Sequence, residues 1–504
     1  MQATKIGECL EFRPYSNTGM QRKFLTNLGF LLLLNLLIKP IYIFGIDRTV
    51  QNVVGAEDFG FYFAVFNFTF IFNILLDFGI TNFNNKNIAQ NTQLLNKHFS
   101  SIIILKLILA IVYFVVIFGF GLILGYRGHE LWLLGLLGLN QFFASFILYL
   151  RSNISALFFF KTDSIISVLD RVLMILICSV LLWGNITHQQ FRIEWFVYAQ
   201  TVSYILTALI ALAIVIKKAS FRKLNWNFPF FLMIIKQSLP FALLVLLMAF
   251  YNRFDSVMLV KLLGDTAGKE QSGIYAHAYR LLDASNNFAY LFSVLLLPIF
   301  ARLIKENKQV AHLVKLSFSL LFVVSVTFAV SSWSFRVQIM QLMYWHLIEE
   351  SAAVFGVLIF CFIAISTNYV FGTLLTANGN LKQLNVVAAG GMVLNIGLNF
   401  WLIPQLGALG SAWASLVTQS VMAILQIMLA SLFFRFRFNL IYVLRLFLFS
   451  TGVVVIAVIM STISLHWVKL FLMTIAFSLT LATMLGLLDV RGFIRLFTGR
   501  FKST

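Results

Sequence analysis

Nine ionisable side chains fall within long apolar stretches of this sequence: Lys39, Asp77, Lys106, Asp170, Arg171, Arg253, Asp255, Arg280 and Asp283. A charge at mid-bilayer costs about 2.5 to 3.5 kcal/mol, so nine of them facing lipid would cost on the order of 25 kcal/mol, more than a typical fold's stability. They must therefore face protein or a wet gap. Lys39 stands about fifteen residues into its stretch, roughly 22 Å at 1.5 Å per residue, and Arg253 stands deeper still into its own, so both are past the midplane. Neither has an acidic residue one turn away, and Asp255, two residues from Arg253, projects from nearly the opposite face. A cation without a partner in a wet gap is the chemistry that holds an anion such as a diphosphate.

The other charges read in two ways. Arg280, Asp283 and Asn287 recur at i, i+3 and i+7 and form one polar stripe, in which Arg280 and Asp283 serve either as a binding pair or as a self-neutralising packing pair. Asp170 and Arg171 are adjacent, and Asp170 is open to a partner elsewhere. Lys106 and Asp77 lie nearer the ends of their stretches, where long side chains are expected to snorkel to the interface. Asn35 with Lys39, Asn73 with Asp77, and Asn395 with Asn399 repeat an i, i+4 spacing, the last pair reading as interhelical glue. Pro40, beside Lys39, frees a backbone carbonyl and permits a kink in a moving helix. The residues from which a binding site would be assembled are thus Lys39, Arg253, Arg280, Asp283, Arg171 and Asp170.

The elements that must position them follow from composition. The chain has 504 residues, 60% apolar and 11% charged, with a mean hydropathy of +0.92. A soluble globule could not bury that much apolar surface, so the expected class is an all-α integral membrane protein. Apolar windows predict about fourteen spans, near residues 24–46, 58–80, 99–124, 130–151, 164–183, 193–216, 230–261, 273–300, 311–332, 347–376, 383–405, 408–432, 441–463 and 466–489. Lys and Arg number 23 in one alternating set of loops and tails and 6 in the other, which places the first set, with both termini, in the cytoplasm. The net charge of +19 therefore marks loops that meet lipid headgroups, not a nucleic-acid surface.

A repeat is also legible. Asp47, Gly55 and Gly60-Phe61-Tyr62 are echoed by Asp255, Gly264 and Gly273-Ile274-Tyr275, with the basic loop 217–229 as divider. The expected organisation is a first lobe over 1–216, a second over 217–432, and two extra spans with a tail over 433–504. Two six-span units that start on the same side would be parallel repeats, with cargo held between them. The first 23 residues are polar, and no cleavable leader is expected. Cys9, Cys178 and Cys361 are far apart and read as packing residues. No phosphate loop and no H-E-x-x-H motif occur, so no cofactor, metal or ATP hydrolysis is expected.

The segment from Gly372 to Gln419, GTLLTANGNLKQLNVVAAGGMVLNIGLNFWLIPQLGALGSAWASLVTQ, resembles the tenth-to-twelfth-helix region of bacterial polysaccharide-transport flippases. These belong to the multidrug, oligosaccharidyl-lipid and polysaccharide exporter superfamily. The matching elements are Ala377-Asn378-Gly379 followed by Lys382, the Asn395 and Asn399 pair, Pro404, and Gly407-Ala408-Leu409-Gly410-Ser411-Ala412. Leu76-Asp77-Phe78-Gly79 is similar to a further family pattern. The resemblance implies a V-shaped pair of six-helix lobes, with alternating access, in the bacterial inner membrane. The implied cargo is an undecaprenyl-diphosphate-linked oligosaccharide, carried from the cytoplasmic to the periplasmic leaflet for cell-surface polysaccharides such as O-antigen, with a glycan polymerase as partner. The residues in position to meet the diphosphate would be Lys39, Arg253 and Arg280. Two other readings compete: a cation-coupled drug antiporter using Asp170, Asp255 and Asp283, and a membrane glycosyltransferase. The latter lacks a sizeable loop of catalytic acids.

Overall fold

The computed structural model describes residues 33–35, 37–81, 84, 88, 93–157, 159–184, 189–217, 226–436 and 439–488. Both tails, Cys9, half of the 81–98 loop and the core of the 217–229 divider lie outside the described residues. What is described is helical, without strands. In lipid this is expected, because a helix satisfies its backbone N–H and C=O groups within one segment.

A π-helical turn, Ile41–Asp47, follows Pro40 directly and leads into α1 (Arg48–Ile71). Pro40 has no N–H to donate, so the ladder is already interrupted where the wider turn begins. Together with the residues from Leu33 and the 3₁₀ segment Phe72–Leu76, this run covers 44 residues, longer than an apolar core of about 30 Å requires of one span. It is broken at Gly55, whose φ of 83° and ψ of 169° are open to glycine alone. The first half continues with α2 (Leu94–Ile123), α3 (His129–Ala156), α4 (Phe160–Trp183) and α5 (Ile193–Ile216).

The second half begins with α6 (Phe228–Arg253). It bends by 54° between Phe228–Lys236 and Ser238–Arg253, because the Pro240 ring crowds the carbonyl of Lys236 and offers it no hydrogen bond. α7 (Asp255–Leu263) and α8 (Asp265–Lys305) meet at Gly264, with φ 85° and ψ 176°. Gly55 and Gly264 thus make the same turn at corresponding points of the two motifs. Next come α9 (Ala311–Ser334), α10 (Arg336–Met343), α11 (Ile348–Leu358), α12 (Cys361–Ala377), α13 (Leu381–Leu406) and α14 (Ala408–Phe434). Finally α15 (Leu440–Ser461) and α16 (Trp467–Met484) dock on α9, where Phe449, Val453, Ala457 and Ala482 join Val323, Val326 and Val330 in a small core of their own. Twelve helices among the described residues are long and apolar enough to cross a membrane, thirteen with the bent pair in α6.

The two halves approach most closely along α1 and α8. A Cβ on Gly60 would overlap the Lys269 carbonyl, and one on Gly273 would overlap the Ala56 carbonyl, so both positions need glycine for the backbones to touch. Ser272 Oγ donates to the Gly60 carbonyl at 2.8 Å across the same contact. These residues lie toward the end with few basic residues, expected to face outward.

Candidate functional site

The intramembrane charges sort into four groups. In the first half, the stretch before α1 brings Lys39 to α4, where Asn35 Nδ2 donates to Ser167 Oγ at 3.2 Å. The electrostatic neighbours of Lys39 are Arg171, Asp170 and Arg151. Arg151 is taken up by Asp163, with Nε to Oδ1 at 2.7 Å and Nη2 to Oδ2 at 3.3 Å. Arg171 lies over the Tyr42 ring at 4.8 Å and the Tyr204 ring at 5.9 Å, and its Nη2 donates to Tyr204 Oη at 3.4 Å. Two aromatic faces therefore hold the guanidinium in place, while its nearest carboxylate, Asp170, stays at a loose 3.6 Å. Lys39 is exposed and makes no ion pair with the described residues. Three cations thus face two carboxylates, leaving one positive charge over.

Arg253 contradicts the sequence expectation. Its guanidinium forks onto Asp283 of α8, Nη1 to Oδ2 at 3.2 Å and Nη2 to Oδ1 at 3.3 Å, and lies over the rings of Phe70 and Tyr279 at 5.0 and 5.1 Å. It is a paired cation. Because Asp283 is committed there, the self-neutralising Arg280 and Asp283 pair also fails. Arg280 instead crosses to Asp47 of the first half, with Nη2 to Oδ1 at 3.0 Å and Nε 3.0 Å from Oδ2 but poorly aligned for a bond. Both Asp47 oxygens are thereby served, Oδ1 by Arg280 and Oδ2 by Gln51. Asp47, 1% exposed and also accepting from Gln51 Nε2 at 2.8 Å, lay just past the predicted end of its span and was not among the expected site residues. Its place at the head of the repeated motif was the available signal.

Lys106 and Asp77 do not snorkel. Lys106 is 2% exposed, and its Nζ donates to Asp77 Oδ1 at 2.8 Å, the Leu76 carbonyl at 3.0 Å and Ser145 Oγ at 2.9 Å. The ammonium caps the carbonyl end of the 3₁₀ segment, where the chain turns through Phe78 (φ 42°) and Gly79 (φ 77°). The fourth group is built on Asp255, 1% exposed. Tyr275 Oη and Asn399 Nδ2 each donate to it at 2.7 Å, and the Ser415 hydroxyl donates as well. Asn395 Oδ1 and Ser411 Oγ brace Asn399. The asparagine pair is interhelical glue as expected, and it serves a carboxylate that has no cationic partner among the described residues.

A polar interior of cross-helix pairs, glycine-tight contact between two bent halves and an apolar exterior make this a multi-pass helical membrane protein, and its fold is that of the MOP superfamily. The structure of "Lipid II flippase MurJ, inward closed conformation" is similar over 92% of this chain and 100% of its own, with a TM-score of 0.67 at 14% identity. An inward-facing multidrug resistance MATE family transporter of the MOP superfamily is similar over 82% of this chain and 98% of its own, with a TM-score of 0.59 at 14% identity. A MOP superfamily transporter from Pyrococcus furiosus, described by the reverse polarity of its binding pocket, is similar over 81% of this chain and 95% of its own, with a TM-score of 0.58 at 14% identity. No curated protein matches the sequence. The chain belongs to the polysaccharide biosynthesis protein family, whose model matches residues 24–304.

Proposed function

We propose that this protein is a flippase that moves an undecaprenyl-diphosphate-linked oligosaccharide from the cytoplasmic to the periplasmic leaflet of a bacterial inner membrane by alternating access. On this reading residues 1–216 and 217–432 are the halves that rock, residues 433–504 ride on the second, and both termini are cytoplasmic. The observation that carries it is the uncompensated charge at Lys39 beside the aromatic-held Arg171. A diphosphate needs a cation that costs nothing to free, and Lys39 meets that need where Arg253 and Arg280 do not. Membership of a polysaccharide biosynthesis family supports a glycan cargo, with a polymerase as the partner that receives it.

The competing reading is a cation-coupled drug antiporter. Its support is Asp255, the buried carboxylate held by neutral donors alone. Binding separates the two. Purified protein should retain undecaprenyl diphosphate in preference to a lipophilic cationic dye, and Lys39→Ala should reduce that retention. Dye binding that depends on Asp255, with no diphosphate retention, favours the antiporter.

A further inference from the structure

The loop between α9 and α11 is tied to both halves of the molecule by chemically different means. On its own half, Tyr344 is 1% exposed, donates from Oη to the His277 carbonyl at 3.2 Å, and stacks on the His277 ring with centroids 3.8 Å apart. Phe335, at the start of the loop, packs edge-on against Phe471 of α16. To the opposite half the loop offers backbone groups, which two side chains of that half grip. Arg48 donates from Nε to the Met343 carbonyl and from Nη2 to the Leu342 carbonyl, both at 2.6 Å. Asn52 Nδ2 donates to the Met343 carbonyl at 3.0 Å, and Asn52 Oδ1 accepts from the Trp345 N–H at 3.0 Å.

The carbonyls that end α10 are unpaired within the helix and carry its partial negative charge, which suits an arginine fork. Asn52 grips the chain on both sides of Tyr344, so the grip holds only while α10 keeps its helical end. Arg48 is next to Asp47, whose pair with Arg280 crosses the same seam, and past the Gly55 turn the same run reaches the contact of Ala56 and Gly60 with Gly273. The bundles cannot part at this end unless Arg48 and Asn52 let go. Toward the other end, by contrast, Phe231 and Ile234 of α6 join an apolar core with Ile80, Leu95 and Ile154 of the first half. Such a contact slides without a directional bond to break.

We propose that residues 335–347 form a strap that locks the outer gate, with Arg48 and Asn52 as its clasp. The strap belongs to the second half through Tyr344 and is released from the first half when the outer side opens. This inference rests on the transporter reading but not on the cargo, and its test needs no substrate.

The test uses the full chain with its three cysteines replaced and a reporter at Ser256→Cys, a position buried at the seam and bonded to Asn67. A membrane-impermeant maleimide is applied from outside intact cells. Loss of charge-assisted bonds in Arg48→Ala/Asn52→Ala should raise the labelling rate by about tenfold. Asn52→Ala alone, which removes two of the four bonds, should raise it by a smaller factor and gives a readout if the double variant does not fold. As a second measurement, spin labels at Arg127→Cys and Glu349→Cys should show a longer-distance population in the variant. An unchanged labelling rate in folded variants, or an identical distance distribution, overturns the strap. Failure of diphosphate binding would leave both readouts untouched and count only against the cargo.

Discussion

Arg253 and Asp283 face one another across α6 and α8 as a two-bond fork, at 3.2 and 3.3 Å. The cation that looks free in the sequence is half of a pair, and the same carboxylate is thereby withheld from Arg280. The first half thus lends two groups to the cations of the second: Asp47 meets Arg280, and the neutral Asn67 Oδ1 accepts from Arg253 Nη1 at 3.5 Å.

The fork predicts coupling. Arg253→Ala and Asp283→Ala should each destabilise the purified protein, and the double variant should recover about 1 to 2 kcal/mol of the summed loss. The recovery stays below that of a fully buried pair because the side chains are 18% and 27% exposed and water screens them. Thermal unfolding in detergent across the four proteins measures it, and strict additivity would show that the fork contributes nothing.

Lys106 should be the most costly of the intramembrane cations to remove. Lys106→Ala leaves the Asp77 carboxylate, 23% exposed, with Thr81 alone and the Leu76 carbonyl with Ser145 alone, at a cost of about 2 to 3 kcal/mol. Lys106→Met with Asp77→Asn, which removes both charges and keeps the volume, should restore much of it. Folding yield and unfolding temperature report the outcome.

Asp255 is held by three donors from three helices, so its shape as an acceptor matters to the fold and its charge is a separate question. Asp255→Ala removes the shared acceptor of Tyr275, Asn399 and Ser415, leaving Asn399 only Asn395 to donate to, and should cost about 2 to 3 kcal/mol. Asp255→Asn keeps one carbonyl oxygen and should fold with a smaller loss. If the two variants unfold at the same temperature, the donors do not depend on that oxygen.

Gly60→Ala and Gly273→Ala should each hold the backbones of α1 and α8 apart. The added methyl meets a carbonyl that belongs to rigid helix, so relaxation must move a whole helix, with a cost of about 1 to 3 kcal/mol. Both should fold and shift toward the outward-open form, as seen in cross-linking at the seam.

Much of this architecture was legible in the sequence because lipid imposes it. Fifteen to twenty-five apolar residues can only be helix there, and the Gly55 and Gly264 turns were visible as matched motifs before their dihedral angles were known. The partners of charges were not legible. Spacing along one helix suggested Arg280 with Asp283, but pairing is decided by the helix that packs alongside, which the order of residues does not state. Lys106 failed for the same reason: its distance from the span end suggested water, while Asp77 and Ser145 on neighbouring elements supplied a closer partner. Lys39 and Arg171 were readable as candidates, but the aromatic support from Tyr42 and Tyr204 needed the fold.

The central claim is that an uncompensated cation at Lys39, beside Arg171, holds the diphosphate of a lipid-linked sugar. The direct measurement is the rate at which a fluorescent undecaprenyl-diphosphate oligosaccharide crosses the bilayer in proteoliposomes containing wild type, Lys39→Ala or Arg171→Ala. Losing one charge-assisted contact should slow translocation by about 10- to 100-fold while both variants insert, Lys39→Ala unfolding as wild type does and Arg171→Ala somewhat earlier for the loss of its contacts with Tyr42 and Tyr204. Translocation at the wild-type rate in both would contradict the account.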